Sequence, residues 1–299
     1  MQEAPSMHNN PFSGRASRRR SRFLFPLALL GLSGVVLFST SCAKLESRDQ
    51  LNKGIDSFKR QAYADAVKHF DKAVNLNPKY QEARLYLATS YMVQWVPGAN
   101  SAGNNKNFDM AERTFKEVLQ NDPSSSLALQ SLAFMAYNKA QTGTMEEKQA
   151  ALENARDWNN KRIEVNPKDA EAYYYLGVID FKEVYPPLQT ARVDENIPEE
   201  GPGSAGPIKN PKVKKALSDM YLAQIDKGIA TLKKALSLDT ENEDTMTYIN
   251  LLLRQKALLE DTEQEAKADV SKAEQWFEKG VKTKQMKAAR AKAAAAKNS

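Results

Sequence analysis

The chain has 299 residues, enough for one large or two ordinary domains, and its 41% hydrophobic and 8% aromatic content can fill a packed interior, which excludes disorder throughout. The formal charge of +6 sits at the two ends: the first 42 residues hold five Arg and one acid, the last 18 hold six Lys or Arg and no acid, and the 32 basic and 36 acidic residues left between them give a body of net −4, for which nucleic acid is not the expected partner. One Cys and two His exclude an internal disulfide and a multi-His or Cys/His metal centre, so neither metal nor cofactor is expected.

The chain opens on a leader. Arg18-Arg19-Arg20-Ser21-Arg22 precedes the apolar run Phe23 to Phe38 and then Ser39-Thr40-Ser41-Cys42, the ordered parts of a secretory signal. A membrane-spanning helix takes about 20 apolar residues, whereas this run has sixteen positions, interrupted by Pro26, Ser33 and two Gly. Small residues running into the only Cys resemble the lipobox of bacterial lipoproteins, in which the Cys becomes the first mature residue and carries acyl chains. The resemblance implies a removed signal peptide over 1–41, lipid attachment at Cys42, a tether over 42–47 and a periplasm-facing, membrane-anchored protein. Ser39 stands where the motif usually carries Leu, so an uncleaved anchor and a secreted form are the alternatives. Ala43, in place of an Asp after the Cys, favours the outer membrane over the inner one.

Repeats follow. Gly54, Ala66, Phe70, Ala73 and Pro78 have the spacing at which small residues let two helices cross, an aromatic fills the gap and Pro ends the second helix. The pattern resembles the tetratricopeptide repeat (TPR). It returns with Leu87, Ala88 and Tyr91, then Ala111, Phe115, Val118 and Pro123, across a predicted surface loop at 94–107. A third unit has Leu129, Leu132, Ala133 and Tyr137, then Ala155, Trp158 and Pro167, with Asn159 and Arg162 standing where Phe and Ala are expected. A fourth has Tyr173, Leu176 and Gly177, then Gly228, Leu232 and Ala235; a fifth has Ile249 and Leu253, then Ala273, Phe277 and Gly280. The expected fold is therefore an all-α superhelical array (α-solenoid) of about five antiparallel helix pairs over 48–281, TPR-like, with long inter-helix insertions.

The largest insertion includes Tyr185-Pro186-Pro187 and the Gly/Pro-rich 201–207, and a flexible segment is expected over 184–212. Residues 282–299 form a basic Ala/Lys-rich tail that extends the last helix or frays; a solubilising role and docking to an anionic surface are both open.

TPR arrays present a concave face lined by the first helix of each pair, and the resemblance places a partner-binding surface there. Its expected members are Phe58 and Lys59 in the first unit, Thr89 and Met92 in the second, and Phe134, Tyr137 and Asn138 in the third. Tyr174, Phe181 and Lys182 follow in the fourth, and Leu251 and Arg254 in the fifth. Lys59, Asn138, Lys182 and Arg254 do not reproduce the carboxylate clamp that some TPR proteins use. The resemblance implies a membrane-anchored scaffold or adaptor that binds a protein or peptide of the bacterial envelope, with no small-molecule substrate. The alternatives are a structural subunit of an envelope assembly or secretion complex and, as the weakest reading, a tethered enzyme: the paired acids Glu199-Glu200 and Glu260-Asp261 come with no phosphate loop or nucleophile elbow.

Overall fold

Ten α-helices occur among the described residues, 35–197 and 206–297, of this computed structural model. They are α1 (Val35–Lys59), α2 (Tyr63–Leu76), α3 (Gln81–Met92), α4 (Ala102–Asn121), α5 (Ser126–Lys139), α6 (Met145–Val165), α7 (Ala170–Asp194), α8 (Pro211–Leu238), α9 (Glu243–Ala257) and α10 (Glu263–Lys297). Consecutive helices form five pairs, and from α3 onward each helix packs most extensively on its pair partner. The architecture is the expected all-α, TPR-like array.

The chain marks each unit's end in the same way. Asn77, Asp122, Asn166 and Asp239 close the second helices of the first four pairs with φ between −141° and −130° and ψ between 85° and 93°. Pro78, Pro123 and Pro167 push the first three of them out of the helical region. At each turn the N–H three residues on returns to the closing residue's carbonyl, from Tyr80, Ser125, Asp169 and Asn242. Side chains then start the next helix: Asp169 accepts from the Ala172 N–H, and Asn242 from the Thr245 N–H.

Packing explains the small residues. A Cβ on Gly54 would lie 2.4 Å from Phe70 Cε1, and one on Gly177 would lie 2.3 Å from Leu232 Cγ. Glycine thus lets α1 cross α2, and α7 cross α8, with side chain against backbone. Phe70 and Phe115 are fully buried with Ala66, Ala73 and Ala111. The chain from Ala43 forms one compact unit, and both hydrophobic clusters lie within it.

Several expectations are corrected. The predicted loop at 94–107 is shorter, because α4 begins at Ala102 with Ser101 as its cap. Asn104 is buried and organises the remaining loop: its Oδ1 accepts from Val96 N–H at 2.7 Å, and its Nδ2 donates to the carbonyls of Val96 and Ala99 at 3.0 and 2.8 Å.

The flexible segment expected over 184–212 does not start at 184. α7 runs on to Asp194 through Pro186 and Pro187. A mid-helix proline costs about 3 kcal/mol, but Val184 and Leu188 are wholly buried on one face, and each buried aliphatic side chain returns about 1.5–3 kcal/mol. The ends of the insertion are also held. Arg192 Nε donates to the Ile197 carbonyl at 3.2 Å, the Glu195 carboxylate accepts from Lys209 and Asn210 N–H, and the Ile208 N–H donates to the Leu258 carbonyl at 2.9 Å. Its Gly/Pro-rich centre, 198–205, lies outside the described residues, as do residues 1–34 of the leader expected over 1–41.

The tether expected over 42–47 is helical. α1 covers it, Ser47 is buried with its hydroxyl donating to the Ala73 carbonyl at 2.8 Å, and Glu46 pairs with Lys72 at 2.8 Å. The basic tail continues α10 as far as Lys297. Thr283 is buried, Lys287 pairs with Glu243 at 2.5 Å and Arg290 with Glu241 at 2.6 Å, so the fold extends past 281.

Asn159 and Arg162, the two residues that depart from the repeat pattern, are both buried. Arg162 reaches Asn159, Asp169 and Glu171 and ties α6 to the start of α7. Phe277, placed like Phe70 and Phe115 in the pattern, is instead 55% exposed. Phe70 stacks on Tyr86 of the following pair at 5.2 Å, and among the described residues no pair follows α10 to cover Phe277 in that way.

Candidate functional site

The odd-numbered helices approach one another across pair boundaries, α3 on α5 and α7 on α9, whereas among the described residues no two even-numbered helices do. The side carried by the odd-numbered helices is termed the inner side of the array. From α5 to α9 that side carries a continuous set of aromatic rings. Tyr137 meets Tyr175 edge-on at 5.1 Å, Tyr175 meets Tyr174 at 5.3 Å, and Tyr174 meets Tyr248 at 5.8 Å. Phe181 joins Tyr248 at 5.5 Å and Tyr185 at 5.0 Å. Lys182 Nζ lies 5.3 Å from the centre of the Tyr137 ring.

The fold brings these groups together for simple reasons. Tyr174, Phe181 and Tyr185 lie on α7, seven and four residues apart, and so recur along one side of it. Gly177 on α7, packed under Leu232, and Gly228 on α8, packed against Asp180 and Leu252, let α8 approach α7 closely.

Burial raises the phenols above their ordinary value. It pushes Tyr175 up to about 12, with the Glu171 carboxylate adding to the effect. Burial first, and then neighbouring rings or Asp244, raises Tyr137, Tyr174 and Tyr248 above the ordinary phenol value. Lys182 moves the other way, lowered by burial and then by Lys148. The face thus offers ring edges, neutral hydroxyls and one partly desolvated cation. Such groups bind apolar side chains and polar backbone atoms.

The predicted face residues divide into two groups. Phe134, Phe181, Lys182, Leu251, Asn138 and Arg254 are half-buried on the inner helices. Asn138 Nδ2 donates to its own helix at Phe134 O, 2.8 Å away, and Arg254 Nε to Asn250 Oδ1 at 3.0 Å. Phe58 is half-buried against Tyr63 and Tyr86, and Lys59 is exposed at the end of α1. Thr89 and Met92, by contrast, are buried. α3 is short and covered by α2, α4 and α5, and the Thr89 hydroxyl is spent on the Leu85 carbonyl at 2.8 Å. Tyr137 and Tyr174 are also more than nine-tenths buried, so they support the face and do not stand out from it. Sequence reasoning missed Tyr175, Tyr185 and Tyr248. The run Tyr173-Tyr174-Tyr175 carried a signal, since three consecutive helical residues sweep about 200° and one must turn inward.

A concavity of about 860 Å³ lies between the α3–α4 loop and the α5–α6 turn. Trp95 and Phe108 meet edge-on at 5.1 Å in its lining, with Lys139 above the Phe108 ring and Asp109, Glu112 and Glu147 around it. Among the described residues no group of three or more His, Cys, Asp or Glu is placed to hold a metal ion. No described helix is long and apolar enough to cross a membrane.

The family model for the plant-specific mitochondrial import receptor subunit TOM20 matches residues 45–156, α1 to α6, which is less than half of the chain. No curated protein matches the sequence. Among solved structures, the chain is similar to the MamA protein, at 17% identity and TM-score 0.50 over 81% of this chain and 94% of that one. It is also similar to MamA 41-end from Desulfovibrio magneticus RS-1, at 15% identity and TM-score 0.50 over 81% and 96%. A thermophilic TPR protein of Thermus thermophilus aligns at 19% identity and TM-score 0.40 over 81% and 97%. Likeness at these identities is likeness of fold alone.

Proposed function

We propose that this chain is a membrane-anchored, non-enzymatic scaffold of the bacterial envelope that holds a protein partner against its inner face. The observation that carries the reading is the ring series from Tyr137 to Tyr248 with Lys182 beside it, in which Tyr175 and Tyr248 are half-exposed and Tyr137 and Tyr174 lie buried beneath them as support. Half-exposed Phe134, Phe181 and Leu251 supply apolar contact, and Lys182 supplies a cation for an acidic side chain or a carbonyl. A family model described as an import receptor subunit, matching the first three pairs, agrees with a role in protein recognition.

Anchoring through lipid on Cys42 is part of the proposal. Cys42 is a free, exposed thiol following the small residues Ser39-Thr40-Ser41. The first packed side chains, Glu46 and Ser47, follow within five residues, so a lipid there would hold the array close to the membrane. Two or three acyl chains make such an attachment durable.

The docking reading is tested with a Lys182→Glu/Leu251→Asp variant, purified from solubilised membranes beside the wild type. The variant is expected to keep its helical circular dichroism and to lose about tenfold or more of the co-purified partner. Undiminished partner would remove the inner face as the docking surface. Intact mass tests the anchor: residues 42–299 plus acyl chains, with the modification lost in Cys42→Ala, is the expected result, and an unmodified full-length mass contradicts it.

A further inference from the structure

α10 carries exposed apolar side chains on one side: Phe277 and Val281 are 55% and 39% exposed. Phe277, Val281, Lys284, Ala288 and Lys292 recur at i, i+4, i+7, i+11 and i+15, a single stripe of the helix. The side that packs inward carries Ala273, Gly280 and Thr283. From Lys279 to Lys297 there is no acid. Lys287 and Arg290 are engaged by Glu243 and Glu241, and Lys279 lies over Trp276; among the described residues Lys282, Lys284 and Lys292 form no close ion pair, Lys284 acting on Glu243 only at longer range. Alanine fills most of the remaining positions after Ala288, and its helix propensity favours the helix there.

We infer that the C-terminal half of α10 is a docking surface for an anionic lipid bilayer, lying along it with Phe277 and Val281 entering the headgroup layer and Lys282, Lys284 and Lys292 on the phosphates. Charge complementarity favours a negative partner, and exposed apolar side chains among the lysines favour a lipid surface over nucleic acid, whose backbone gains nothing from them. A second copy or a further helix pair would need large apolar residues along the stripe, and beyond Val281 the stripe offers Ala288 flanked by lysines. This surface needs no lipid on Cys42, so its test stands apart from that of the anchor.

The chain from Ala43 onward holds the whole core and lacks the leader and the cysteine. It is to be sedimented with vesicles of phosphatidylcholine and with vesicles of phosphatidylcholine mixed with phosphatidylglycerol. The expected result is binding to the anionic vesicles alone, weakened by added salt. Removing each of Lys282, Lys284 and Lys292 should lower partitioning about fivefold, and Phe277→Ser should weaken it without altering the salt dependence. These side chains are exposed, so circular dichroism of the variants should match the wild type. Equal binding to both vesicle types, full binding by the triple lysine variant or by Phe277→Ser, binding to a DNA duplex in place of vesicles, or self-association with no vesicle binding would each overturn the proposal.

Discussion

Arg162 grips Asp169 with two nitrogens, Nε to Oδ2 at 3.0 Å and Nη2 to Oδ1 at 3.1 Å, while the same carboxylate caps α7 through the Ala172 N–H. The guanidinium is 3% exposed and Asp169 15%. Removing one member of a buried pair costs about 3–5 kcal/mol. Arg162→Ala should therefore fall near the low end, about 3 kcal/mol, since water can reach part of Asp169. Arg162→Met, which refills the space, should cost less. Urea denaturation of both variants checks this; equal losses would mean that refilling the volume recovers nothing.

Gly177 and Leu232 make the closest crossing of α7 and α8. A methyl group at 177 must displace the branched Leu232 side chain, and overpacking of this kind costs about 1–3 kcal/mol. Gly177→Ala should lower the thermal midpoint, and Gly177→Ala with Leu232→Ala should cost less than the two singles summed, because removing the branched side chain removes the clash. A double variant no better than the sum of two singles would contradict the packing account.

Asn104→Ala should cost about 1–3 kcal/mol, because it leaves the Val96 N–H and the Val96 and Ala99 carbonyls without their shared partner. Hydrogen exchange should then quicken at 94–101 while α7 to α10 keep their protection. Uniform acceleration throughout the array would contradict a local role.

Burial first, then the neighbouring Asp269, raises Glu260 above the ordinary 4.5. Asp269 is itself buried, with Oδ2 short of a donor that a protonated Glu260 can supply. Glu265 adds to the shift, and Lys256 opposes it. The stabilising contribution of this group is complete below the unfolded pKa and is lost as pH rises through the raised folded value. Glu260→Gln should therefore be more stable than the wild type at neutral pH and lose that advantage in mild acid. Midpoints compared across that range check the sign, and a variant less stable at neutral pH refutes it.

Much of the fold was readable because each repeat position answers to one physical demand. Gly54 must be small for Phe70, Gly177 must be small for Leu232, and the prolines after Asn77, Asp122 and Asn166 must stop a helix. The sequence misled where long-range packing overrode local signals. Pro186-Pro187 reads as a breaker, yet the burial of Val184 and Leu188 carries α7 through it. An Asn-rich stretch reads as an open loop, yet Asn104 turns inward to supply its missing hydrogen bonds. The burial of the expected face residues was only partly legible: Phe181 and Lys182 are half-buried, whereas Tyr137 and Tyr174 are buried. It was not legible at Thr89 and Met92, because spacing alone does not reveal that α3 is covered by α2, α4 and α5.

The most direct test of the central claim, a partner held on the inner face, is site-specific photo-crosslinking in the native membrane. A photoreactive residue is placed in turn at Lys182, Leu251 and Phe134, and at Lys116, Asp157 and Lys234 on the even-numbered helices. One common adduct at the first three positions and none at the second three is the predicted result. Adducts confined to the even-numbered helices would contradict it and move the docking surface to the opposite side of the array.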